Sequence, residues 1–286
     1  MRLLRYLAQA GPSVAALRND VWCDLCLADE SLPRNVEEIL ALGGAGLEQA
    51  SAALARAAPL QEPPSVVLPP ISQPSKILCV GLNYADHALE TGQEIPKDPV
   101  IFNKLPTTIN GHGSSIVLPA CSERVDYEAE LVVVIGRSGR DIPQPSAMQY
   151  VAGYCCGNDV SARDWQKDKP GGQWLLGKSF DTFCPLGPHF VTADELVEPD
   201  NLHIESRLNG ITMQSSNTQQ LIFPVDYLIA YISQVCTLHP GDLLFTGTPS
   251  GVGAAQHPPV FLGPGDHVEV EIEQIGTLHN SVVAAH

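Results

Sequence analysis

The chain has 286 residues, 44% of them hydrophobic and 17% charged, and a formal net charge of −16. That composition describes a well-packed globular protein, built as one large domain or as a large and a small one, and it excludes extended disorder. With no basic stripe to displace counterions and no apolar run approaching a bilayer span, neither a nucleic acid nor a membrane is expected as a partner.

The opening RLLRYL reads as a first strand entering a folded domain rather than as part of a transit peptide, although Arg2, Arg5 and Arg18 all precede the first acid, Asp20. No secretory signal is evident, so the eight cysteines are expected as thiols. Cys23 and Cys26 form a lone CxxC with no second pair, which reads as structural rather than as a zinc or redox motif. PRNVEEILALGGAGLEQASAALARAA reads as helix, glycine break, helix. Pro59, Pro63, Pro64, Pro69, Pro70 and Pro74 then exclude helix and favour an extended linker. A boundary is expected near residue 70, between a small N-terminal domain (1–70, linker included) and a larger one (71–286).

Beyond the linker the chain is strand-rich. KILCVGL is a strand closed by Gly81, and NYADHALE a short helix with Asn83 as its N-cap and Gly92 as its stop. VIFNK, SSIVL, ELVVVIG and VAGYCCG read as strands. SARDWQKD starts a helical turn in which Ser161 and Asp164 are spaced as a capping pair. HIESRLNGITMQ is a hairpin turning at Asn209-Gly210, a type I′ signal. FPVDYLIAYISQV is the best helix, with Leu228, Ile232 and Val235 at helical spacing, and DLLFTG and HVEVEIEQIGTL supply late strands. Strands without regular βα alternation point to a mixed α+β, strand-rich architecture of β-roll or β-sandwich type rather than a Rossmann fold.

Three carboxylates sit where a carboxylate has little reason to be. Glu128 and Glu130 open the apolar run LVVVI, and residues i and i+2 of a strand share a face, so the two project side by side and repel unless something positive lies between them. Asp159 follows the apolar VAGYCC where the chain turns. Three carboxylates on neighbouring strand ends suit a hard divalent cation such as Mg²⁺ or Mn²⁺. His87 and Glu90, three apart on the short helix, form either a general base with its orienter or an ordinary surface pair. Arg163, close in sequence to Asp159, Asp164 and Gln166, either clamps a substrate carboxylate or pairs with Asp164, with Asp159 or Ser161 then a helix cap. Lys178, in the charge-poor QWLLGKSFDTFCPLGP, is either a snorkelling surface residue or a buried cation that stabilises an enolate or oxyanion.

Residues 172–179 also match the P-loop pattern G-x-x-x-x-G-K-[ST]. The upstream QKDKPGG is polar rather than a buried strand, Pro185 and Pro188 cut off any long helix, and Trp174, Leu175 and Leu176 are bulky for a phosphate loop, so a nucleotide triphosphatase is a remote alternative. In LFTGTPSGVG, backbone amides and the Thr246 and Thr248 hydroxyls make either an anion nest or a tight turn.

Taken in order, GLNYADHALE, DYEAELVVVIG, NDVSARDWQ, QWLLGKSFDTFCPLGP, RLNGITMQSSNT and GDLLFTGTPSGVG resemble the fumarylacetoacetate hydrolase family, over about residues 70 to 283. The resemblance implies a β-roll catalytic domain, usually homodimeric, with Mg²⁺ or Mn²⁺ held by Glu128, Glu130 and Asp159. The His-Glu dyad of the family's lid helix falls on His87 and Glu90. Arg163 and Gln166 match positions that touch substrate, Lys178 the lysine beside the metal, and Thr248 the threonine of the TGTP loop. The family founder's additional upstream Asp ligand has no evident equivalent. The substrates implied are small 2-oxo acids or their enols, which chelate the metal while Lys178 helps stabilise the enolate. From that intermediate, protonation at C3 gives tautomerisation, water activated by His87 and Glu90 gives C–C hydrolysis, and loss of CO₂ gives decarboxylation. The resemblance leans to an oxaloacetate keto-enol tautomerase, ahead of a C–C hydrolase of acylpyruvate or fumarylacetoacetate-like diketo acids and an oxaloacetate decarboxylase. A non-catalytic binding protein is the alternative from another class. Both cytosol and mitochondrial matrix fit.

Overall fold

The computed structural model describes residues 1–196 and 198–285. The centre of the fold is the strand Ala129–Ile135, whose sequence AELVVVI is buried at every position. A strand apolar on both faces has to be covered on both. It lies within a ten-stranded sheet, antiparallel to Val151–Asn158 on one side and to Leu243–Phe245 on the other. From one edge to the other the sheet runs Val21–Asp24, Gly11–Arg18, Arg2–Ala8, Cys184–Thr192, Val151–Asn158, Ala129–Ile135, Leu243–Phe245, Ile77–Gly81 and Val100–Lys104; the two-residue strand Ile109–Asn110 joins Cys184–Thr192 from the side.

The two faces of the central strand meet different partners. Leu131, Val133 and Ile135 pack against Ile204, Val270 and Leu278 of a second sheet and against Leu228 and Ile232 of the helix Val225–Ser233. Val132 and Val134 pack with Leu3, Val14, Ile39 and Ala50 from the N-terminal strands and helices. The second sheet is ordered Ile211–Asn217, His203–Leu208, His267–Ile272, Gly276–Ala284, Ile116–Leu118. Segments on both sides of the proline-rich stretch thus share one sheet, with Leu3 opposite Phe190. The mixed, strand-rich α+β class expected from the sequence is what forms.

Several local expectations hold. The helices Val36–Ala41 and Gly44–Arg56 are separated at Gly43, whose φ of +64° ends the first. Asn209 and Gly210 turn the hairpin with φ of +53° and +78°, the left-handed pair of a type I′ turn. Gly92, at φ +63°, stops the helix Ala85–Glu90. All eight cysteines are free, and Cys23 and Cys26 are core residues.

Three expectations fail. Asn83 caps nothing: its amide donates to the carbonyls of Phe223 and Thr246 and accepts from Phe223 N–H, clamping three segments together. Ser161 and Asp164 form no capping pair, because Ser161 Oγ donates to Asp159 O while Asp164 Oδ1 accepts from Ser122 Oγ and Trp165 N–H. Val235 lies beyond the end of its helix and is 77% exposed, whereas Leu228 and Ile232 are buried.

Candidate active site

Strand pairing assembles the carboxylates. Gly157 lies opposite Glu130 and Asn158 opposite Ala129. That register brings Asp159 beside Glu128, with Asp159 N–H donating to Glu128 O at 2.9 Å and Glu128 N–H to Asn158 Oδ1 at 3.0 Å. One oxygen from each of Glu128, Glu130 and Asp159 lies within 4.8 Å of the others, and all three residues are buried.

Three cations brace this cluster. Lys178 Nζ donates to Glu128 Oε2 and Asp159 Oδ2, both at 2.7 Å, and stands 4.9 Å from the Phe102 ring centroid. Lys104 Nζ donates to Asp159 Oδ1 at 2.5 Å. Arg163 Nη1 reaches Glu128 Oε1 at 2.7 Å and Nη2 reaches Asp126 Oδ2 at 2.7 Å, so its partners are Asp126 and Glu128 rather than Asp164. Burial alone would raise the pKa of Glu128, but the charges of Lys178 and Arg163 outweigh it and hold the carboxylate far below its usual range. Lys178 is buried yet raised, because Asp159 and Glu128 overcome its desolvation.

Glu130 is different. It is 1% exposed, and among the described residues it has no cation partner and accepts one hydrogen bond, from Gly247 N–H to Oε2 at 2.7 Å. Burial first, then the neighbouring charges of Asp159 and Glu128, push its pKa well up. Gly247 adopts φ +104°, and a Cβ there would come within 2.7 Å of the Asn83 Cβ, so this amide contact depends on glycine. The donor set is all carboxylate oxygen, and its weakest point is Glu130, which has no cation partner among the described residues and sits beside two other carboxylates. A hard divalent cation fits that arrangement, held by Glu128, Glu130 and Asp159.

Above the carboxylates is a cavity of about 360 Å³, small-molecule in scale. His87 and Glu90 line it from the helix Ala85–Glu90, with His87 Nδ1 3.1 Å from Glu90 Oε2. Glu90 Oε1 is itself held by Gly251 N–H at 2.8 Å, so the pair is braced by the glycine-rich loop and is not a free surface pair. Gln166 accepts from Arg163 Nη1 through Oε1 at 3.0 Å, and its amide N–H groups have no partner among the described residues. Thr248 also lines the cavity, but its hydroxyl donates to Ala129 O and accepts from Gln214 Nε2. Lys178 ends the four-residue turn Leu175–Lys178, with no phosphate loop around it. The glycine of the P-loop-like pattern, Gly177, serves packing: a Cβ on it would lie 2.5 Å from Gln166 N. The loop that reads as an anion nest binds the chain's own carboxylates, Gly247 to Glu130, Gly251 to Glu90, and Gly253 and Ala254 to Asp126.

Two residues of the site are missing from the sequence reading, Lys104 and Asp126. Strand parity offers a signal for the face of each, though not for its partner. Asp126 extends the alternation Glu128, Glu130 by one step toward the N-terminus, and Lys104 shares a strand face with Phe102, a wall of the cavity.

Residues 76–283 match the family described as "Fumarylacetoacetate (FAA) hydrolase C-terminal". The chain belongs to the fumarylacetoacetate hydrolase family. It is 50% identical over 261 residues to "Oxaloacetate tautomerase Fahd2a, mitochondrial" of Rattus norvegicus, covering 91% of this chain and 83% of the relative. Among solved structures, the fumarylacetoacetate hydrolase of psychrophilic Exiguobacterium antarcticum superposes with a TM-score of 0.89 at 34% identity, over all of both chains. The maleylpyruvate hydrolase of Sphingobium sp. SYK-6, in complex with manganese (II) ion and pyruvate, does so with a TM-score of 0.82 at 28% identity, again over all of both chains.

Proposed function

We propose that this chain is a Mg²⁺- or Mn²⁺-dependent oxaloacetate keto-enol tautomerase, with Glu128, Glu130 and Asp159 as the metal ligands. The observation that carries this reading is the uncompensated Glu130 in an all-oxygen triad directly beneath a cavity that also holds a braced His-Glu pair. The rat relative's printed name supplies the substrate, and the manganese and pyruvate bound to the Sphingobium hydrolase support both the ion class and a 2-oxo acid ligand. A divalent cation bound there would polarise the 2-oxo oxygen and orient the adjacent carboxylate, acting as a Lewis acid.

The remaining roles follow from what each side chain has left to offer. Lys178 uses two of its three donors on Glu128 and Asp159, so its charge and third N–H stabilise negative charge on the 2-oxo oxygen as C2=C3 forms. Gln166 offers its free amide N–H groups to a substrate carboxylate oxygen. Arg163 spends most of its five donors on Asp126, Glu128 and Gln166, so it acts mainly by holding Glu128 and Gln166 in place. Thr248 forms the far wall. Glu90 accepts the Nδ1 proton of His87, which leaves Nε2 as the base that exchanges the C3 proton.

A C–C hydrolase acting on an acylpyruvate-like diketo acid is the second reading, favoured by the similarity to the maleylpyruvate hydrolase. It would use the same His87-Glu90 pair to activate water. The discriminating experiment gives Mg²⁺-loaded protein enol-oxaloacetate, keto-oxaloacetate and acetylpyruvate in parallel, with products identified by NMR. The tautomerase reading expects fast interconversion of the two oxaloacetate forms and intact acetylpyruvate. Cleavage of acetylpyruvate without oxaloacetate interconversion would replace it with the hydrolase. The word "mitochondrial" in the relative's name supports the matrix over the cytosol as the compartment, and a homodimer remains the family-based expectation for assembly.

A further inference from the structure

We propose that Lys167 receives the distal anionic group of the substrate, so that this cavity selects dicarboxylic over monocarboxylic 2-oxo acids. The inference rests on the 2-oxo acid reading above and assigns the part of it that the carboxylate cluster leaves open, namely what recognises the far end of the molecule.

Three Lys and Arg side chains line the cavity: Arg163, Lys167 and Lys178. Arg163 and Lys178 are ion-paired with Asp126, Glu128 and Asp159. Among the described residues, no carboxylate lies within ion-pair distance of Lys167, and its ammonium donates no hydrogen bond to protein. Arg163 and Lys167 are the first and last residues of the helix Arg163–Lys167, hence i and i+4 on one face, separated by about 6 Å along the axis. A ligand whose 2-oxo carboxylate end rests by Gln166 and Lys178 therefore has one cation with spare donors a helical turn farther out, carried on a flexible four-carbon stem.

Phe102, Trp174 and Val252 are apolar or aromatic walls. His257 Nδ1 donates to Gln256 O at 2.9 Å. The Gln93 amide donates to Thr91 Oγ1. Lys167 sits at the exposed lip, yet burial first and Arg163 second lower its pKa, so a neighbouring anion would relieve an existing cost.

The test uses two non-reacting ligands that differ only at the distal end, 2-hydroxysuccinate and 2-hydroxybutyrate, titrated calorimetrically into the Mg²⁺-loaded full chain. Wild type should prefer 2-hydroxysuccinate by about tenfold or more, the scale of one charge-assisted hydrogen bond. Lys167→Met should remove that preference by weakening 2-hydroxysuccinate alone, and Lys167→Arg should keep most of it. In turnover, Lys167→Met should raise KM for enol-oxaloacetate far more than it lowers kcat. Equal binding of the two ligands by wild type, or an unchanged preference in Lys167→Met, would overturn the proposal. Because binding is read without turnover, a wild type that prefers 2-hydroxysuccinate but does not interconvert oxaloacetate would refute the tautomerase and leave the distal receptor standing.

Discussion

The base of the cavity and its rim are built on opposite principles. At the base, Lys104, Asp126, Glu128, Glu130, Asp159, Arg163 and Lys178 are each at most 6% exposed, and nearly every charged atom is committed to a partner on another strand or turn. At the rim, His87 and Glu90 stand on a six-residue helix whose neighbouring Leu89 is 84% exposed, and Lys167 is exposed. Buried charges tolerate few arrangements, because each lost partner leaves an uncompensated ion. Rim groups can change without such a cost. The base is therefore held fixed by its own ion pairs, whereas the rim is held by few of them.

Mutations can break or sharpen that division. Glu128→Gln should have the largest effect, taking turnover to background and weakening Mg²⁺ or Mn²⁺ binding at least about tenfold, since a charged ligand is removed. Calorimetry showing unchanged cation affinity would contradict the ligand assignment. His87→Ala should lower kcat by about 10²–10⁴ while leaving cation affinity and melting temperature as in wild type. A loss of cation binding in that variant would erase the distinction between base and rim. Lys104→Met should cost about 3 kcal/mol in urea unfolding, because it strips one of the two cations from a fully buried Asp159. A stability equal to wild type would mean that Lys178 alone suffices. Glu90→Gln should be mildest, roughly fivefold in kcat, since a part-exposed ion pair contributes at most about 1 kcal/mol.

How legible each region was in the sequence follows the same division. The E-x-E pair could be read because strand parity is local, and Asp159 because a carboxylate after VAGYCC stands out against its neighbours. Their cation partners could not be read by proximity. Lys104 meets Asp159 across 55 positions, and only the lateral order of strands brings them together. Asp126 looks like the polar start of a strand until the loop amides of Gly253 and Ala254 close over it. The failed caps carry the same lesson. Asn83 has ordinary capping chemistry, but the segments packed against it offer better-placed partners than the adjacent helix does, and Ser161 turns back to the carbonyl of Asp159 two residues earlier. The His87-Glu90 spacing was visible, whereas the Gly251 amide that anchors Glu90 comes from 161 residues away.

The central claim is that Glu130, buried and without a cation of its own, completes a divalent-metal site on which turnover depends. Its most direct test measures the rate of enol-oxaloacetate ketonisation against Mn²⁺ concentration, for wild type and Glu130→Gln, after removal of bound metal. The wild-type rate should rise from background to a plateau, and the variant should stay near background at concentrations saturating for wild type. Full activity of metal-free wild type, or an identical Mn²⁺ dependence in the variant, would contradict it.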